Sequence, residues 1–442
     1  MLTLIPMPKK INQGTGTYSL DEISNVILPA SNSSSLLNAV VDLADDIQKA
    51  VRRRIRFGRS LNLPGKSIVL SLDASVKDRE GYVLKACADG IALKASTETG
   101  LFYGIQTLRQ IVRSEGAFYP EVEIEDTPDF PNRGFYHDST RGKVQTLETL
   151  CRLADKMAHY KLNQLQLYIE HTFAFAKHTD IWQGADPLTA EEIMRLDAYC
   201  RERHIMLVPS LSTFGHFYTA IRSKRKEDLN ELDIKASELP FSFADRMGHY
   251  TLNPSDPRSI ALIRDMLDEF LPLFTSPFFN ICCDETFDLG QGKNKEQVEK
   301  DGSPKKIYVE FLKKIIGIVT EHGRRAMFWG DIIGEDPELV RELPEGTIPL
   351  EWDYGAEAQW HDTAKLSKSV KEFYICPGTS CWNRWISAIN NASSNIVKYA
   401  RKGFENHACG MLNTDWGDYG NINMLGNSWH GMLLGAAASW NV

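Results

Sequence analysis

The chain has 442 residues, 43% hydrophobic and 24% charged, with a formal net charge of −8. That length suits a large catalytic domain plus a smaller one, and it buries a core without needing disulfides. The acidic balance argues against a nucleic-acid partner, for which a basic face is expected, and no run approaches ~20 uninterrupted apolar residues, so no membrane partner is expected.

The start, "MLTLIPMPKKI", lacks a basic stretch followed by a long apolar one, so no signal peptide is expected and a cytoplasmic location follows. The eight cysteines then read as reduced thiols. The one dense basic run, "RRRIRFGR" at 52–59, reads as a solvated helix face rather than a phosphate patch.

Residues 1–127 read as an α+β module. "KSIVLSL" (66–72), "GYVLKACADGIALKAST" (81–97) and "EVEIED" (121–126) have strand character. "ADG" at 88–90 reads as a hairpin turn. "TGLFYGIQTLRQIVR" (99–113) carries apolar residues at a helical period. "TPDFPNRG" (127–134), with two prolines and a glycine, marks the boundary.

From residue 128 to 442 the rhythm changes. Eight short apolar strands are predicted: 134–138, 162–169, 205–212, 278–284, 325–330, 348–352, 373–377 and 410–416. Amphipathic helices fall between them. One is "LETLCRLADKMAHYK", with an apolar stripe at 147, 150, 153, 154, 157 and 158. Another begins near Ser255, with Pro257 in its first turn. Others are expected near 188–203, 304–321, 358–371, 385–402 and 429–440; the connection after the fifth strand has the least helical pattern. This alternation predicts a (β/α)₈ barrel preceded by the smaller α+β domain. An open doubly wound sheet would want a Gly-rich first βα turn, which "HDSTRG" is not. The polar stretch 218–254 reads as an excursion on the barrel's top face.

In such a barrel chemistry gathers at the C-terminal ends of the strands. There the sequence places Asp138, Glu170, His171, His216, Asp284, Glu285, Trp329, Asp331, Trp352, Asp353, Tyr354, Trp382, Asp415, Trp416 and Asp418. Taken singly, a tryptophan is core and an aspartate a helix cap. Together, acids and indoles make a carbohydrate site: indole faces pack on sugar C–H surfaces, and carboxylates bind hydroxyls or move protons.

"FFNICCDETFDLG" (278–290) ends an apolar strand in two adjacent acids. Strand neighbours point to opposite faces, but where the backbone turns both can enter one pocket. Two close carboxylates resist joint ionisation, so one of the pair is expected to keep its proton near neutral pH. A two-carboxylate glycosidase sets its groups about 5–9 Å apart across the sugar, normally from different strands. Adjacent acids suit a substrate that supplies its own nucleophile: a 2-acetamido oxygen attacks C1, one acid protonates the leaving oxygen, and its neighbour steadies the acetamido N–H.

From about residue 80 onward the chain carries "GLFYGIQTLRQI", "IEDTPDFPNRGF", "MAHYKLNQLQLYIE", "PSLSTFGHF" and Asp284-Glu285, in that order. In these motifs and their order it resembles glycoside hydrolase family 20, the β-N-acetylhexosaminidases. It is nearest a bacterial branch with a second strand like "LYIEHTFAF". The resemblance implies an exo-acting, retaining, substrate-assisted reaction on glycans with terminal β-linked GlcNAc or GalNAc, with no cofactor and no metal. Glu285 would be the acid and then the base, and Asp284 would hold the acetamido group. Glu170 and His216 would form a relay behind Glu285, and Tyr354 would donate to the acetamido oxygen. Arg133 and Asp418 would bind sugar hydroxyls. Trp329, Trp352 and Trp416 would box the acetyl group, with Trp382 beside them in the substrate site. Departures are "NICC" (280–283) where the family often has His-x-Gly-Gly, and "PSLS" (209–212) where it has Pro-Glu-x-Asp. Two other readings remain: a two-carboxylate glycosidase acting on non-acetamido sugars, and a non-catalytic carbohydrate-binding relative.

Overall fold

The computed structural model describes residues 2–334 and 336–442. The first seven strands are β1 (Lys10–Ser19), β2 (Ile23–Ile27), β3 (Arg56–Gly58), β4 (Lys66–Leu72), β5 (Tyr82–Cys87), β6 (Gly90–Ala95) and β7 (Phe118–Asp126). They form one mixed sheet in the order β1-β7-β5-β6-β4-β2-β3. Alternation is plain on β5, where Tyr82, Leu84 and Ala86 are buried and Lys85 is exposed. The β5–β6 pair is the expected antiparallel hairpin. The helix Glu98–Glu115 packs on this sheet and against the helix Ser34–Val51. It begins where the Thr97 side chain accepts from the Gly100 N–H.

The basic run at 52–59 is not a helix face. The helix ends at Val51, and Arg52 caps it with a left-handed φ of 56°. The run then continues into β3. Arg53 donates to the carbonyl of Ile23 at 2.7 Å, and Arg56 to that of Pro64 at 3.1 Å. These arginines tie down chain rather than stand free, because each guanidinium reaches a backbone carbonyl.

The second sheet holds β8 (Asn132–Asp138), β9 (Gln164–Tyr168), β10 (Met206–Val208), β11 (Phe278–Asn280), β12 (Arg325–Trp329), β13 (Ile348–Trp352), β14 (Tyr374–Cys376) and β15 (Gly410–Asp415). All eight pair in parallel, in the order β10-β9-β8-β15-β14-β13-β12-β11. A parallel bridge between Ser210 and Asn280 brings β10 and β11 together and closes the barrel. Seven of the eight lie inside a segment expected from the sequence, and β8 begins two residues before its expected start at 134.

Helices follow at Ala190–Arg201, Pro257–Phe270, Lys305–Glu321, Thr363–Ser369, Ile389–Glu405 and Trp429–Trp440. The helix expected near Ser255 is capped by Asp256, its side chain accepting from the Arg258 N–H. After β12 the described residues form a one-turn helix, Asp331–Gly334, and a 3₁₀ segment, Pro337–Glu342. No helix among the described residues is long and apolar enough to cross a membrane.

The two sheets are joined by buried charge. Lys161 Nζ lies 3.0 Å from Asp126 Oδ2, both side chains fully buried, with the Trp440 ring 4.4 Å from the ammonium. Such a pair holds the junction in one geometry, since separating it would strand a charge in the interior.

Candidate active site

A stretch of unusual backbone shapes the C-terminal rim of the barrel. After β11, Cys282, Cys283 and Glu285 all take left-handed φ values of 58°, 68° and 51°. Non-glycine residues rarely adopt this region. The turn they make swings the Asp284 and Glu285 carboxylates into one cavity, which explains how strand neighbours share a pocket. Gly215 makes room for it: a Cβ there would stand 2.3 Å from the Asp284 carbonyl oxygen.

That cavity has a volume of about 170 Å³ and is lined by Arg141, Met247, Asp284, Glu285, Trp352, Tyr354, Trp382, Trp416 and Asp418. Indoles and the phenol form one wall. Trp352 and Tyr354 stack with ring centroids 5.1 Å apart, and Trp382 meets Tyr354 edge-on at 5.1 Å. Trp416 Nε1 donates to Tyr354 Oη at 2.8 Å. The phenol oxygen thus accepts from the indole and keeps its own proton to give. Burial drives its pKa well above the ordinary tyrosine value, so it stays protonated.

Charged groups form the opposite wall. Asp138, at the end of β8, accepts from the backbone N–H groups of Thr140 and Arg141 at 3.0 Å and of Gly417 at 2.9 Å. It thereby fixes the loops that carry Arg141 and Asp418. The Arg141 guanidinium pairs with Asp418 and donates to Glu170 Oε1 at 3.2 Å. Its Nη2 also lies 3.2 Å from His216 Nδ1. Burial alone would raise the Glu170 pKa, but the charges and hydrogen bonds of Arg246, His171, Arg141 and His216 outweigh it and hold the carboxyl well below its usual range.

His216 Nε2 reaches both acids, 3.2 Å from Asp284 Oδ2 and 3.5 Å from Glu285 Oε2. His249, from the 218–254 excursion, brings its Nε2 to 2.7 Å from Glu285 Oε2. Burial would raise the Glu285 pKa, yet the His249 hydrogen bond and the charges of His216, His249 and Arg141 bring it down to about 2. Burial lowers the His216 pKa, but Asp284 and Glu285 overcome this and raise it above the ordinary imidazole value.

The expectation of a raised carboxyl at the reacting pair is therefore corrected for Glu285, because two imidazoles face it. A raised carboxyl belongs instead to Asp331, just past β12. Burial and the charge of Asp284 push it well above the ordinary range. Its Oδ2 accepts from the Glu285 backbone N–H at 2.9 Å.

Arg133 lies elsewhere. It is the second residue of β8, at the barrel's N-terminal end, fully buried at the domain junction. It donates to Glu80 at 2.6 Å and to the carbonyls of Lys161 and Phe130 at 2.9 and 2.8 Å. The cavity arginine is Arg141, three residues past the end of the strand. Trp329 is fully buried beneath the cavity, its ring 5.6 Å from Trp416 and 5.0 Å from Tyr136. Glu170 sits behind Arg141, with its Oε1 3.8 Å from His216 Nδ1, so the guanidinium stands closer to that nitrogen than the expected relay partner does. The structure brings Asp284, Glu285, Tyr354, Trp352, Trp382, Trp416 and Asp418 to one cavity.

Sequence reasoning missed Arg141, His249 and the distinct state of Asp331. Position alone pointed to Arg141, which follows the end of β8, whereas Arg133 lies at its start. No spacing signal marks His249, since the excursion that carries it has no regular period.

The structure is a closed parallel barrel whose rim gathers acids, an arginine and stacked aromatic rings around one cavity. Residues 1–127 match the family model "Glycosyl hydrolase family 20, domain 2", and residues 130–371 match "Glycosyl hydrolase family 20, catalytic domain". The chain belongs to glycoside hydrolase family 20.

A β-hexosaminidase of Vibrio furnissii is 25% identical over 381 residues, covering 78% of this chain and 60% of that protein. A β-hexosaminidase of Porphyromonas gingivalis is 22% identical over 365 residues, 75% of this chain and 46% of that protein. The chain thus spans about half the length of these curated relatives. The structure of a Streptomyces plicatus N-acetyl-β-hexosaminidase in complex with Thio-NAglucal superposes with a TM-score of 0.78 at 19% identity, covering 99% of this chain and 90% of that one.

Proposed function

We propose that the chain is an exo-acting, retaining β-N-acetylhexosaminidase that releases terminal β-linked GlcNAc or GalNAc from a glycan or glycoconjugate. The observation that carries this reading is the placement of Asp284 and Glu285 side by side at one cavity wall. A pair that needs a protein nucleophile faces the sugar from two sides. A side-by-side pair leaves the nucleophile to the substrate. The cavity's small volume suits a single terminal sugar rather than a chain running through.

In the proposed reaction the 2-acetamido oxygen attacks C1 as the C1–O bond to the aglycone breaks. Glu285 gives its proton to the departing oxygen, and a bicyclic oxazolinium forms. Asp284 accepts the acetamido N–H and balances the developing positive charge. Tyr354 donates to the acetamido oxygen and orients it. Water then attacks C1, Glu285 takes its proton, and the β-configuration is retained. Arg141 and Asp418 grip sugar hydroxyls, and Trp352, Trp382 and Trp416 enclose the acetyl group and ring face.

The free site keeps Glu285 ionised and places the proton on an imidazole. A carboxylic acid beside a neutral histidine and a carboxylate beside an imidazolium hold the same proton count, so they titrate as one unit. The sugar's entry expels water from Glu285 and moves the proton onto it. The described cysteines are all unpaired thiols, which supports a reducing compartment.

The test is a crystal soaked with a thiazoline mimic of the oxazolinium. The reading expects the Asp284 carboxylate within hydrogen-bond distance of the ring nitrogen. A carboxylate turned away, or a covalent glycosyl ester trapped by mass spectrometry, overturns it.

A further inference from the structure

His216, His249 and Glu285 converge so that one ligand atom of each lies within 4.8 Å of the other two, and His216 Nε2 and His249 Nε2 both face Glu285 Oε2. They come from three separate parts of the chain: the segment after β10, the excursion, and the turn after β11. Both histidine side chains are nearly fully buried, at 1% and 4% exposure, while Glu285 at 27% opens to the cavity. Two imidazoles and one carboxylate aimed at one point, with solvent access from the fourth side, make an open three-ligand metal site.

We propose that this cluster binds a borderline divalent transition ion, of the Zn²⁺ class, and that the bound ion switches the site off. Imidazole nitrogens select such ions, whereas Mg²⁺ and Ca²⁺ want oxygen ligands throughout. Tetrahedral zinc with ligands at about 2.0–2.2 Å sets neighbouring ligand atoms roughly 3.3 Å apart. The observed 3.5 Å from His216 Nε2 to Glu285 Oε2 is close to this, and the 2.7 Å from His249 Nε2 needs a modest opening. On binding, both Nε2 atoms give up their protons: each neutral ring keeps its single proton on Nδ1, and any additional proton in the cluster leaves to solvent. Asp284 stands beside the site: its Oδ2 is 3.2 Å from His216 Nε2, and its buried Oδ1 has no hydrogen-bond partner among the described residues. Ligation through Nε2 leaves the His216 proton on Nδ1, which faces Glu170 Oε1 at 3.8 Å and Arg141 Nη2 at 3.2 Å. A carboxylate behind a ligating imidazole strengthens it. The Arg141 contact must be given up, so binding is reversible rather than structural.

The switching effect rests on the hydrolase reading, because the ion occupies the oxygen that would carry the proton; the binding itself does not. Zinc sulfate is titrated calorimetrically into the chelator-treated full chain, with magnesium sulfate as control, and a zinc-soaked crystal is measured at the zinc edge. The expected result is one saturable zinc site, no magnesium heat, and an anomalous peak among the three ligand atoms. Affinity falls at least about tenfold in His249→Gln and in Glu285→Gln, two variants that fail independently if either misfolds. No saturable heat, a peak elsewhere, or unchanged affinity in both variants overturns the proposal. Hydrolysis of p-nitrophenyl β-GlcNAc is then followed with zinc and after chelation. Binding without any hydrolysis refutes the functional reading and leaves the site standing, whereas hydrolysis that saturating zinc leaves unaltered refutes the switch.

Discussion

His249 Nε2 and Glu285 Oε2 lie 2.7 Å apart, so a loop between two barrel strands reaches in to hold the oxygen assigned the proton transfer. This contact explains why Glu285, although mostly buried, is pulled down to about 2. A charge-assisted hydrogen bond contributes ~1.5–3 kcal/mol, equal to roughly 1–2 pKa units. In metal-free protein, His249→Leu therefore raises the Glu285 titration midpoint by at least about one unit. Infrared spectra of ¹³C-carboxyl-labelled glutamate, compared between the two proteins, read that shift directly.

Glu285→Gln separates proton donation from the rest of the mechanism. General-acid assistance contributes ~10²–10⁴-fold, and activated aryl glycosides need little of it in the first step. The variant loses ~10²-fold or more on alkyl or disaccharide substrates and far less in the glycosylation of dinitrophenyl glycosides. Pre-steady-state kinetics on both classes check this; equal losses would place the proton donor elsewhere.

Arg141 and Arg133 are both buried, yet different effects are expected from losing each. Arg141→Ala leaves Glu170 and Asp418 without their shared partner and removes a cavity wall. It raises KM and destabilises the fold by about 3–5 kcal/mol. Arg133→Ala breaks the domain junction at Glu80, Lys161 and Phe130. It lowers the melting temperature while the folded fraction keeps its KM. Paired melts and Michaelis curves distinguish the two.

Acid sensitivity follows from Glu170. Its folded carboxyl binds a proton more weakly than the unfolded one, whose pKa is about 4.3. Stabilisation from Glu170 is complete above that value and is lost as pH falls toward the lower folded value. Glu170→Gln flattens the dependence of stability on pH below about 4.3, as urea titrations at several pH values would record.

Asp331 has the opposite sign. Its folded pKa is raised, so the folded state holds a proton that the unfolded state releases above about 3.9. Stability from this residue falls as pH rises from there toward the folded value. Asp331→Asn copies the protonated acid and keeps an oxygen for the Glu285 N–H. It raises the melting temperature at pH 7 and leaves it nearly unchanged at pH 4.

The strands were legible because each is a short apolar run bounded by polar turns, and a barrel strand buried on both faces must read that way. The adjacent acids stood out because Asp284 and Glu285 end such a run. Arg133 misled because an arginine next to a glycine near a strand looks alike at either end; only strand direction distinguishes it from Arg141. His249 was hidden because its place depends on an aperiodic excursion folding back over the rim. The basic run at 52–59 failed as a helix face because Arg52 takes a left-handed cap and ends the helix there. The lowered pKa of Glu285 was not readable at all, since it comes from imidazoles far away in sequence.

The most direct measurement compares turnover of p-nitrophenyl β-GlcNAc, β-GalNAc and β-glucoside by the purified chain. Participation by the sugar's own amide predicts release of p-nitrophenol from one or both acetamido sugars and none above background from the glucoside. Comparable turnover of the glucoside, or no turnover of any of the three, would contradict it.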